Sequence, residues 1–278
     1  MEYSPKKLLD VLNRNNFKFK KRYGQNFIID ENIIDAIIKK SNLEYDSLII
    51  EIGPGSGALT KKLAPNAKNV LCYEIDYTLK SILDATLYQH NNVKIIYDDF
   101  LKRDVLSDIK NYTYKKLYVV ANLPYYITTP IIVKIIEDNL DVDKIIVMVQ
   151  KEVGDRFRAK PGTKEYNSLT IFVNYFFDVK KILDVSRNVF IPKPNVDSIV
   201  VQFTKKDDLI TLKNKDFFFK LVQDSFSQKR KNIKNNLKKY DLEKIGKVLN
   251  KYGFDLSTRA EQLSLEVFVD IANSLVEG

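Results

Sequence analysis

The length of the chain, its composition and its charge narrow the class of protein. Over 278 residues, Lys and Arg outnumber Asp and Glu by 45 to 36, and the net charge of +9 favours a nucleic-acid partner over an anionic membrane surface. The sequence has neither a run of about 18 apolar residues nor a signal-peptide core, so we expect a cytoplasmic protein without membrane association. Cys72 and His90 are the single cysteine and the single histidine. One cysteine cannot form a disulfide within the chain, and one cysteine with one histidine is too few for the usual zinc sites. We therefore expect a cofactor rather than a metal to supply the chemistry.

Two helices are predicted at the start of the chain. Ser4-Pro5 offers an N-cap and a helix-starting proline for the first helix. The second is predicted after Asp30, where isoleucines recur at helical spacing. These isoleucines are Ile33, Ile34, Ile37 and Ile38.

From Leu48 the pattern changes to short β-branched runs separated by helical or polar segments. The runs are LIIEI, VLCYEI, VKIIY, KLYVVA and KIIVMVQ. Continuous apolar strands of this kind are typical of a parallel sheet with helices on both faces. Two later runs, TIFVNYFFDV and SIVVQF, are rich in aromatic and β-branched residues and predict the antiparallel end of the same sheet.

The composition changes again after Phe203, where the sequence turns helical and basic and KKDD marks the junction. We therefore predict an α/β catalytic domain over residues 1–204. A small all-helical domain that binds RNA is predicted over residues 205–278.

A glycine loop follows the first strand of the predicted sheet. LIIEI leads into Gly53-Pro54-Gly55-Ser56-Gly57 and then into ALTKKLA. This order of strand, loop and helix brings a ligand against backbone amides at a helix N-terminus. The loop resembles the dinucleotide pattern G-x-G-x-x-G without matching it, and by itself it also fits a plain turn.

Acidic residues follow successive strands of this sheet. Glu51 ends the first strand and Glu74 the second, where a carboxylate can accept hydrogen bonds from both ribose hydroxyls of an adenosine. Asp76 is expected to be an ordinary solvated acid. Asp99 follows the third strand and is predicted to lie near the adenine of the cofactor, with Asp98 as its competitor. Each acid alone could instead cap a helix, but together they favour an adenosyl ligand.

The segment Asn122-Leu123-Pro124-Tyr125 follows the fourth strand, at the carboxyl edge of the sheet. The exocyclic nitrogen of adenine is a poor nucleophile because its lone pair is delocalised into the ring. The side-chain oxygen of Asn122 and a backbone carbonyl of this turn can accept both amino hydrogens, and Tyr125 can stack on the extruded base. A plain turn is the alternative. The position after the glycine loop, Glu74 and Asp99 favours methylation of adenine N6 with S-adenosyl-L-methionine as the donor.

A second aromatic candidate is Phe190 in NVFIPKPNVDS, where two prolines stiffen a loop before the final strand. This loop could hold the Phe190 ring against the other face of the target base. The composition fits a core position for Phe190 nearly as well.

A basic segment without acidic residues lies between Lys229 and Lys239. Its cations are Lys229, Arg230, Lys231, Lys234, Lys238 and Lys239. Apolar residues from Phe218 to Leu237 recur at helical spacing, so we expect a helix that packs on one face and holds RNA phosphates on the other. An ordinary solvated helix face is the alternative.

Eight segments of the chain resemble the KsgA-type ribosomal RNA adenine N6,N6-dimethyltransferases. They are YGQNFIID, EIGPGSGALT, YEID, NLPYYITTPII, QKEVGDRF, FIPKPNVDS, FSQKRKNIKNNL and RAEQLSLEVF, and they span almost the whole chain in family order. The resemblance implies a Rossmann-like S-adenosylmethionine-dependent methyltransferase sheet with a small C-terminal helical domain. It also implies dimethylation of two adjacent adenosines near the 3' end of small-subunit rRNA in an immature ribosomal subunit. We expect the enzyme to act as a monomer.

The resemblance implies roles for particular residues as well. Asn26 and Ile28 in the GQNF block correspond to cofactor contacts, which the residues alone do not indicate. The other implied cofactor contacts are Gly53, Glu74, Asp99 and Asn122. Tyr125 and Phe190 correspond to the aromatic residues that stack on the base in the family.

Three alternatives share part of this pattern. The Erm methyltransferases of large-subunit rRNA have the same fold, but the chain reads GPGSG and NLPY where Erm proteins usually have a GSGKG-like loop and NIPY. A non-catalytic ribosome-assembly factor could retain the fold, although the residues expected in the site are all present. The third alternative is a DNA adenine methyltransferase, which a comparison of RNA and DNA as substrates distinguishes from the RNA enzymes.

Overall fold

The computed structural model describes residues 5–15 and 17–276. The chain divides into two compact units. One, the sheet unit, comprises Met1–Gly154 and Lys180–Thr204, and the other, the helical unit, comprises Asp155–Val179 and Lys205–Gly278.

The helices and strands follow one another in the alternating order of an α/β protein. The strands are β1 (Phe27–Ile28), β2 (Ser47–Ile52), β3 (Asn69–Tyr73), β4 (Val93–Ile96), β5 (Lys116–Asn122), β6 (Lys144–Gln150), β7 (Phe177–Val185), β8 (Phe190–Ile191) and β9 (Ser198–Lys205). The helices are α1 (Pro5–Arg14), α2 (Glu31–Ser41), α3 (Ala58–Leu63), α4 (Lys80–Leu87), α5 (Val105–Ile109), α6 (Thr128–Glu137), α7 (Lys151–Phe157), α8 (Ser168–Phe176), α9 (Lys215–Ser225), α10 (Ile233–Asn236), α11 (Leu242–Lys251) and α12 (Leu265–Val276). In the described residues, none of these helices is long and apolar enough to cross a membrane.

The main sheet confirms the predicted parallel arrangement. In the described residues its strand order is β4-β3-β2-β5-β6-β9-β7. The pairs β2–β3, β3–β4, β2–β5 and β5–β6 are parallel, and β9 is antiparallel to β6. Every residue of β2 is buried, as expected of a strand covered on both faces. The carboxyl ends of β2, β3, β4 and β5 therefore meet at one edge of the sheet, where the glycine loop and the acids lie.

The two predicted N-terminal helices are α1 and α2. Helix α1 begins at Pro5, while Ser4 lies outside the described residues. Helix α2 begins after Asp30, whose carboxylate accepts a hydrogen bond from the Asn32 amide at 2.9 Å. The helix-start signals of the sequence are therefore satisfied where the residues are described.

The prediction of a strand for TIFVNYFFDV is wrong over most of that run, because α8 occupies its first seven residues and β7 begins at Phe177. A capping box starts the helix. The Asn167 side chain accepts from the Thr170 amide at 3.3 Å, and the Thr170 hydroxyl accepts from the Asn167 amide at 3.2 Å. Local polar chemistry thus outweighs the β propensity of the aromatic and β-branched residues.

Helix α8 also changes the domain boundaries. Its residues Ile171 and Tyr175 are buried in the core of the helical unit, together with Phe218 of α9 and Phe268 of α12. The predicted continuous split into residues 1–204 and 205–278 must therefore be corrected, because residues 155–179 belong to the helical unit. The apolar side chains of α8 are the physical reason, since they complete a core that α9 and α12 build.

Candidate active site

A cavity of about 260 Å³ opens at the carboxyl ends of the parallel strands in the sheet unit. It brings together seven of the residues predicted for the cofactor and the target base. These are Asn26, Ile28, Gly53, Glu74, Asp99, Asn122 and Tyr125. Glu51, Asp98, Tyr23, Gln25 and Tyr126 line the same cavity.

The glycine loop presents bare backbone to this cavity. Gly53 has a φ of +71°, and a Cβ atom built on it would meet nothing within 4 Å, so a ligand can approach its backbone closely. Gly55 has a different role, because a Cβ atom there would lie 2.9 Å from the Phe27 ring. The first glycine therefore leaves space for a ligand, whereas the second allows the loop to pack against Phe27.

The Glu74 carboxylate lies between two backbone amides at the end of β3. One oxygen accepts from the Gly55 amide at 3.1 Å and the other from the Asp76 amide at 2.8 Å. Glu74 is 4% exposed, and this burial raises its pKa to about 7 despite both hydrogen bonds. Its position is fixed, and each oxygen keeps a second lone pair that can accept a hydroxyl proton.

Glu51 is a second buried acid of the cavity. It accepts a hydrogen bond from the Cys72 thiol at 3.7 Å. Burial raises the pKa of Glu51 to about 8, so the side chain is mostly neutral at pH 7. Cys72 is fully buried, as is usual for a free cysteine that packs as a small apolar residue.

The expectation of an ordinary solvated acid is wrong for Asp76, which is 1% exposed. Its carboxylate accepts from Lys20 Nζ at 2.6 Å, Gln25 Nε2 at 2.8 Å and the Thr78 hydroxyl at 2.6 Å. Burial acts to raise the pKa of Asp76, but these hydrogen bonds outweigh it and the pKa lies below its ordinary value. Asp76 thereby anchors the N-terminal segment that forms one wall of the cavity. The sequence shows only that two acids lie close together in YEID. It does not reveal that two of the partners of Asp76 lie 50 or more residues away in the chain.

Asp99 caps a short helix and also lines the cavity. Its carboxylate accepts from the Leu101 amide at 3.0 Å and so caps the short 3-10 helix Phe100–Lys102. Asp99 also lines the cavity, together with Asp98. A capping acid can therefore present its remaining lone pairs to a ligand.

Asn122, the last residue of β5, is held in one orientation at the start of the turn that follows. Its Nδ2 donates to the backbone carbonyl of Asn26 at 2.8 Å. In the described part of the chain, no donor is bound to the Oδ1 atom of Asn122. The Tyr125 hydroxyl lies 2.8 Å from Ser198 Oγ, which ties its ring to β9. The turn thus carries an oriented acceptor and a fixed aromatic ring.

The structure does not bring Phe190 to the cavity, contrary to its prediction as a base-stacking residue. Phe190 is 2% exposed and is not among the described residues that line the cavity. The reason is the pairing of β8 with β1, in which Phe190 lies opposite Ile28 and packs into the core with Val200. This is the core position that the sequence left as an alternative.

The basic segment, residues 229–239, lies in the helical unit. The expectation of one helix through it is wrong, because α9 ends at Ser225 and α10 covers Ile233–Asn236. Asn232 caps α10, and the Asn236 side chain donates to the Ser225 carbonyl at 2.6 Å, which stabilises the turn between the helices.

The predicted RNA-binding cations are all exposed: Lys229, Arg230, Lys231, Lys234 and Lys238. Lys229 donates to the Lys164 carbonyl at 3.1 Å, and Lys239 forms an ion pair with Asp224 at 2.9 Å. For the other four cations, no acidic partner exists among the residues that the structure describes. The basic segment therefore offers positive charge to a polyanion even though it is not one helix.

A parallel sheet with an open glycine loop, a buried acid after β3 and an oriented Asn at the end of β5 defines the class of Rossmann-like methyltransferases. Residues 16–277 match the sequence profile of the family described as "Ribosomal RNA adenine dimethylase". The chain belongs to this family.

Relatives and solved structures agree with this assignment. The chain is 44% identical to "Ribosomal RNA small subunit methyltransferase A" of Bacillus cereus, covering 98% of this chain and 97% of the relative. The protein of the same name from Oceanobacillus iheyensis is 42% identical over 99% and 96%. A dimethyladenosine transferase from Plasmodium falciparum superposes with a TM-score of 0.73 at 27% identity, covering 88% of this chain and 95% of that one. The 23S rRNA methyltransferase ErmE shares the fold, with a TM-score of 0.71 at 24% identity over 90% and 100% of the chains.

Proposed function

We propose that this protein transfers methyl groups to the N6 atoms of two adjacent adenosines near the 3' end of small-subunit rRNA. It acts as a monomer on an immature ribosomal subunit and uses S-adenosyl-L-methionine. The observation that carries the proposal is the meeting of Gly53, Glu74 and Asn122 around one cavity. The chain is 44% and 42% identical over nearly its full length to two proteins named for the small subunit, which supports small-subunit rRNA as the substrate.

The cavity fits the cofactor by its donor and acceptor set. The bare backbone at Gly53 gives room for close contact, and the Glu74 carboxylate can accept hydrogen bonds from the two ribose hydroxyls. Asp99 offers an acceptor to the adenine amino group, and Asn26, Ile28 and Asn122 line the same space. When bound, the cofactor supplies a methyl group on a positively charged sulfur.

Asn122 and Tyr125 act on the target adenine. The Asn122 Oδ1 atom accepts one amino hydrogen and a backbone carbonyl of the turn accepts the other, which favours a nitrogen whose lone pair is directed at the methyl group. The hydrogen bond from Asn122 Nδ2 to the Asn26 carbonyl keeps the acceptor in place before the base arrives. Tyr125 stacks on the extruded base. Phe190 is buried and has no part in this proposal.

The basic segment binds the RNA backbone. Arg230, Lys231, Lys234 and Lys238 are exposed and available for phosphates, while Lys229 contributes from the same turn. Phosphate contacts of this kind position the RNA without reading its sequence. The identity of the base is then tested in the cavity.

The test follows transfer of labelled methyl groups from S-adenosylmethionine to unmethylated small ribosomal subunits, with large-subunit RNA and DNA as parallel substrates. Nuclease digestion then maps the product. The proposal predicts dimethyladenosine at two adjacent small-subunit positions. Label in large-subunit RNA would instead indicate an Erm-type activity, label in DNA a DNA methyltransferase, and no label a non-catalytic assembly factor.

A further inference from the structure

The turn after β5 carries two consecutive tyrosines in opposite environments. The Tyr125 ring is half-buried and its hydroxyl is hydrogen-bonded to Ser198 at 2.8 Å. Tyr126 also lines the cavity, but 57% of the residue is exposed. A residue that borders a cavity and is largely exposed lies at its mouth. Tyr126 is therefore a rim residue, and the role assigned to Tyr125 does not account for it.

The Tyr126 ring is positioned by the backbone beneath it. A Cβ atom on Gly24 would lie 3.2 Å from Tyr126 Cε1 and 3.4 Å from Pro124 Cβ, so the ring rests against bare main chain. Gly24 has a φ of +56°, which a residue with a side chain adopts only under strain. The contact supports the ring on one side and leaves the rest of it open to solvent.

A second aromatic residue and a cation lie at the same rim. Tyr23 lines the cavity, and the Arg22 guanidinium carbon lies 4.7 Å from the centre of the Tyr23 ring. Arg22 is exposed, and in the described part of the chain it has no carboxylate partner. Burial raises the pKa of Tyr126, and the nearby Asp99 and Tyr23 raise it further. The rim thus combines two aromatic rings with an available cation.

This combination suits a nucleotide, because bases stack on aromatic side chains while cations hold the backbone phosphates. An RNA substrate that inserts one adenosine into the cavity must carry its next nucleotide across the mouth. A base in that position has lost its stacking partner on one side and gains free energy from a replacement ring. Because there are two adjacent target adenosines, the neighbouring base needs such a ring during the methylation of each of them.

We propose that Tyr126 and the Arg22–Tyr23 pair form a second nucleotide site, which holds the nucleotide next to the target adenosine. The neighbouring base stacks on Tyr126, and Arg22 pairs with the phosphate between the two nucleotides. This inference rests on the proposed function. It assigns a substrate-positioning role to residues outside the cofactor and target-base contacts.

The experiment measures steady-state methylation of unmethylated small subunits by wild type, Tyr126→Ala, Tyr126→Phe and Arg22→Ala. Tyr45→Ala is the matched control, because Tyr45 is also an exposed tyrosine of the sheet unit, at 67%, and does not line the cavity. Stacking on one base predicts that Tyr126→Ala raises the KM for subunits about 10-fold. Tyr126→Phe and Tyr45→Ala should have the wild-type KM, and Arg22→Ala should raise it with a weaker salt dependence. The dissociation constant of S-adenosylmethionine, measured by calorimetry, should stay unchanged in all variants.

Each other result contradicts the second nucleotide site. A normal KM in Tyr126→Ala would show that the ring holds no base. A KM raised equally in Tyr126→Phe would assign the effect to the hydroxyl instead of stacking, and weaker cofactor binding in Tyr126→Ala would place the residue in the cofactor site. If wild type itself fails to methylate small subunits, the proposed function fails and this inference fails with it.

Discussion

The cavity of the sheet unit and the basic segment of the helical unit use charge in opposite ways. In the cavity, Glu51 and Glu74 are buried, and two backbone amides hold the Glu74 carboxylate. The nearby Asp76 is buried outside the cavity lining and accepts hydrogen bonds from Lys20 and Gln25. In the basic segment, Arg230 and Lys234 are exposed and have no acidic partner within the described residues. The first region fixes a few groups in place, whereas the second exposes positive charge to water.

This difference in the use of charge predicts how substitutions in each region should affect activity. Groups that are oriented before the substrate arrives act strongly in a low-dielectric site, so the loss of one should reduce the rate steeply. Exposed cations are screened by salt and contribute in small increments that add. Substitutions in the two regions should therefore differ in size, in salt dependence and in the step that they affect.

The largest effect is expected for Asn122→Ala. Loss of the oriented acceptor should lower the rate of methyl transfer at saturating cofactor about 100- to 1,000-fold, while the fold persists. Single-turnover rates with small subunits, together with the thermal midpoint, measure this. Asn66→Ala is the control, since among the described residues the Asn66 side chain donates only to the nearby Lys62 carbonyl, at 2.9 Å. Near-normal turnover by a folded Asn122→Ala protein would remove the assigned role of Asn122.

A second prediction concerns Glu74 and pH. The pKa of Glu74 is raised to about 7, and the ionised form is the one that can accept hydrogen bonds from both ribose hydroxyls. Its protonated fraction grows as the pH falls below about 7, so S-adenosylmethionine affinity should weaken on going from about pH 8 to about pH 6. Glu74→Gln should bind the cofactor about 10- to 100-fold more weakly at about pH 8.

The pH comparison also contains its own control. The cofactor has ionising groups, but their contribution is the same for wild type and Glu74→Gln. The difference in calorimetric affinity between the two proteins should therefore shrink as the pH falls. A difference that stays constant with pH would show that Glu74 does not titrate in this range.

The third prediction concerns the basic segment. Replacing Lys229, Arg230 and Lys231 with Ala should weaken RNA affinity and lower the slope of log affinity against log salt by about 2 to 3. Cofactor affinity should not change. The matched control replaces three exposed lysines of the sheet unit and alters net charge equally. These are Lys39, Lys40 and Lys115. An unchanged salt slope in the first variant would show that the RNA surface lies elsewhere.

The smallest effect is expected for Asp76→Ala, which removes the anchor of Lys20 and Gln25. The wall of the cavity should become less ordered, and S-adenosylmethionine affinity should fall about fivefold, with little change in turnover at saturating cofactor. Asp84→Ala serves as the control, because Asp84 pairs with Lys80 at an exposed position. Equal affinities for the two variants would contradict the anchoring role of Asp76.

The parallel sheet could be predicted because each strand is a continuous apolar run, and the carboxyl ends of parallel strands meet at one edge. That geometry alone brings Gly53, Glu74, Asp99 and Asn122 together. The role of Asp76 could not be predicted, since Lys20 and Gln25 are distant in the sequence and only the fold brings them near.

Other differences between the predicted and the observed structure arise where the local preference of a segment and its tertiary contacts favour different structures. Helix α8 has the composition of a strand, and the signal for a helix is the capping box formed by Asn167 and Thr170. The apolar spacing from Phe218 to Leu237 continues across the end of α9, whereas Asn232 marks a new helix start. Phe190 illustrates a harder case, because an aromatic residue before two prolines fits a binding loop or a core equally until the partner strand is known.

The most direct test of the division between the two regions compares Asn122→Ala with the Lys229, Arg230 and Lys231 triple variant in one set of titrations. Methyl transfer is measured against small-subunit concentration, with cofactor affinity determined in parallel. The triple variant should reach the wild-type maximal rate at a higher subunit concentration, whereas Asn122→Ala should bind subunits normally and stay slow when subunits and cofactor are both saturating. A triple variant that is slow at saturation, or an Asn122→Ala protein rescued by more substrate, would contradict the account.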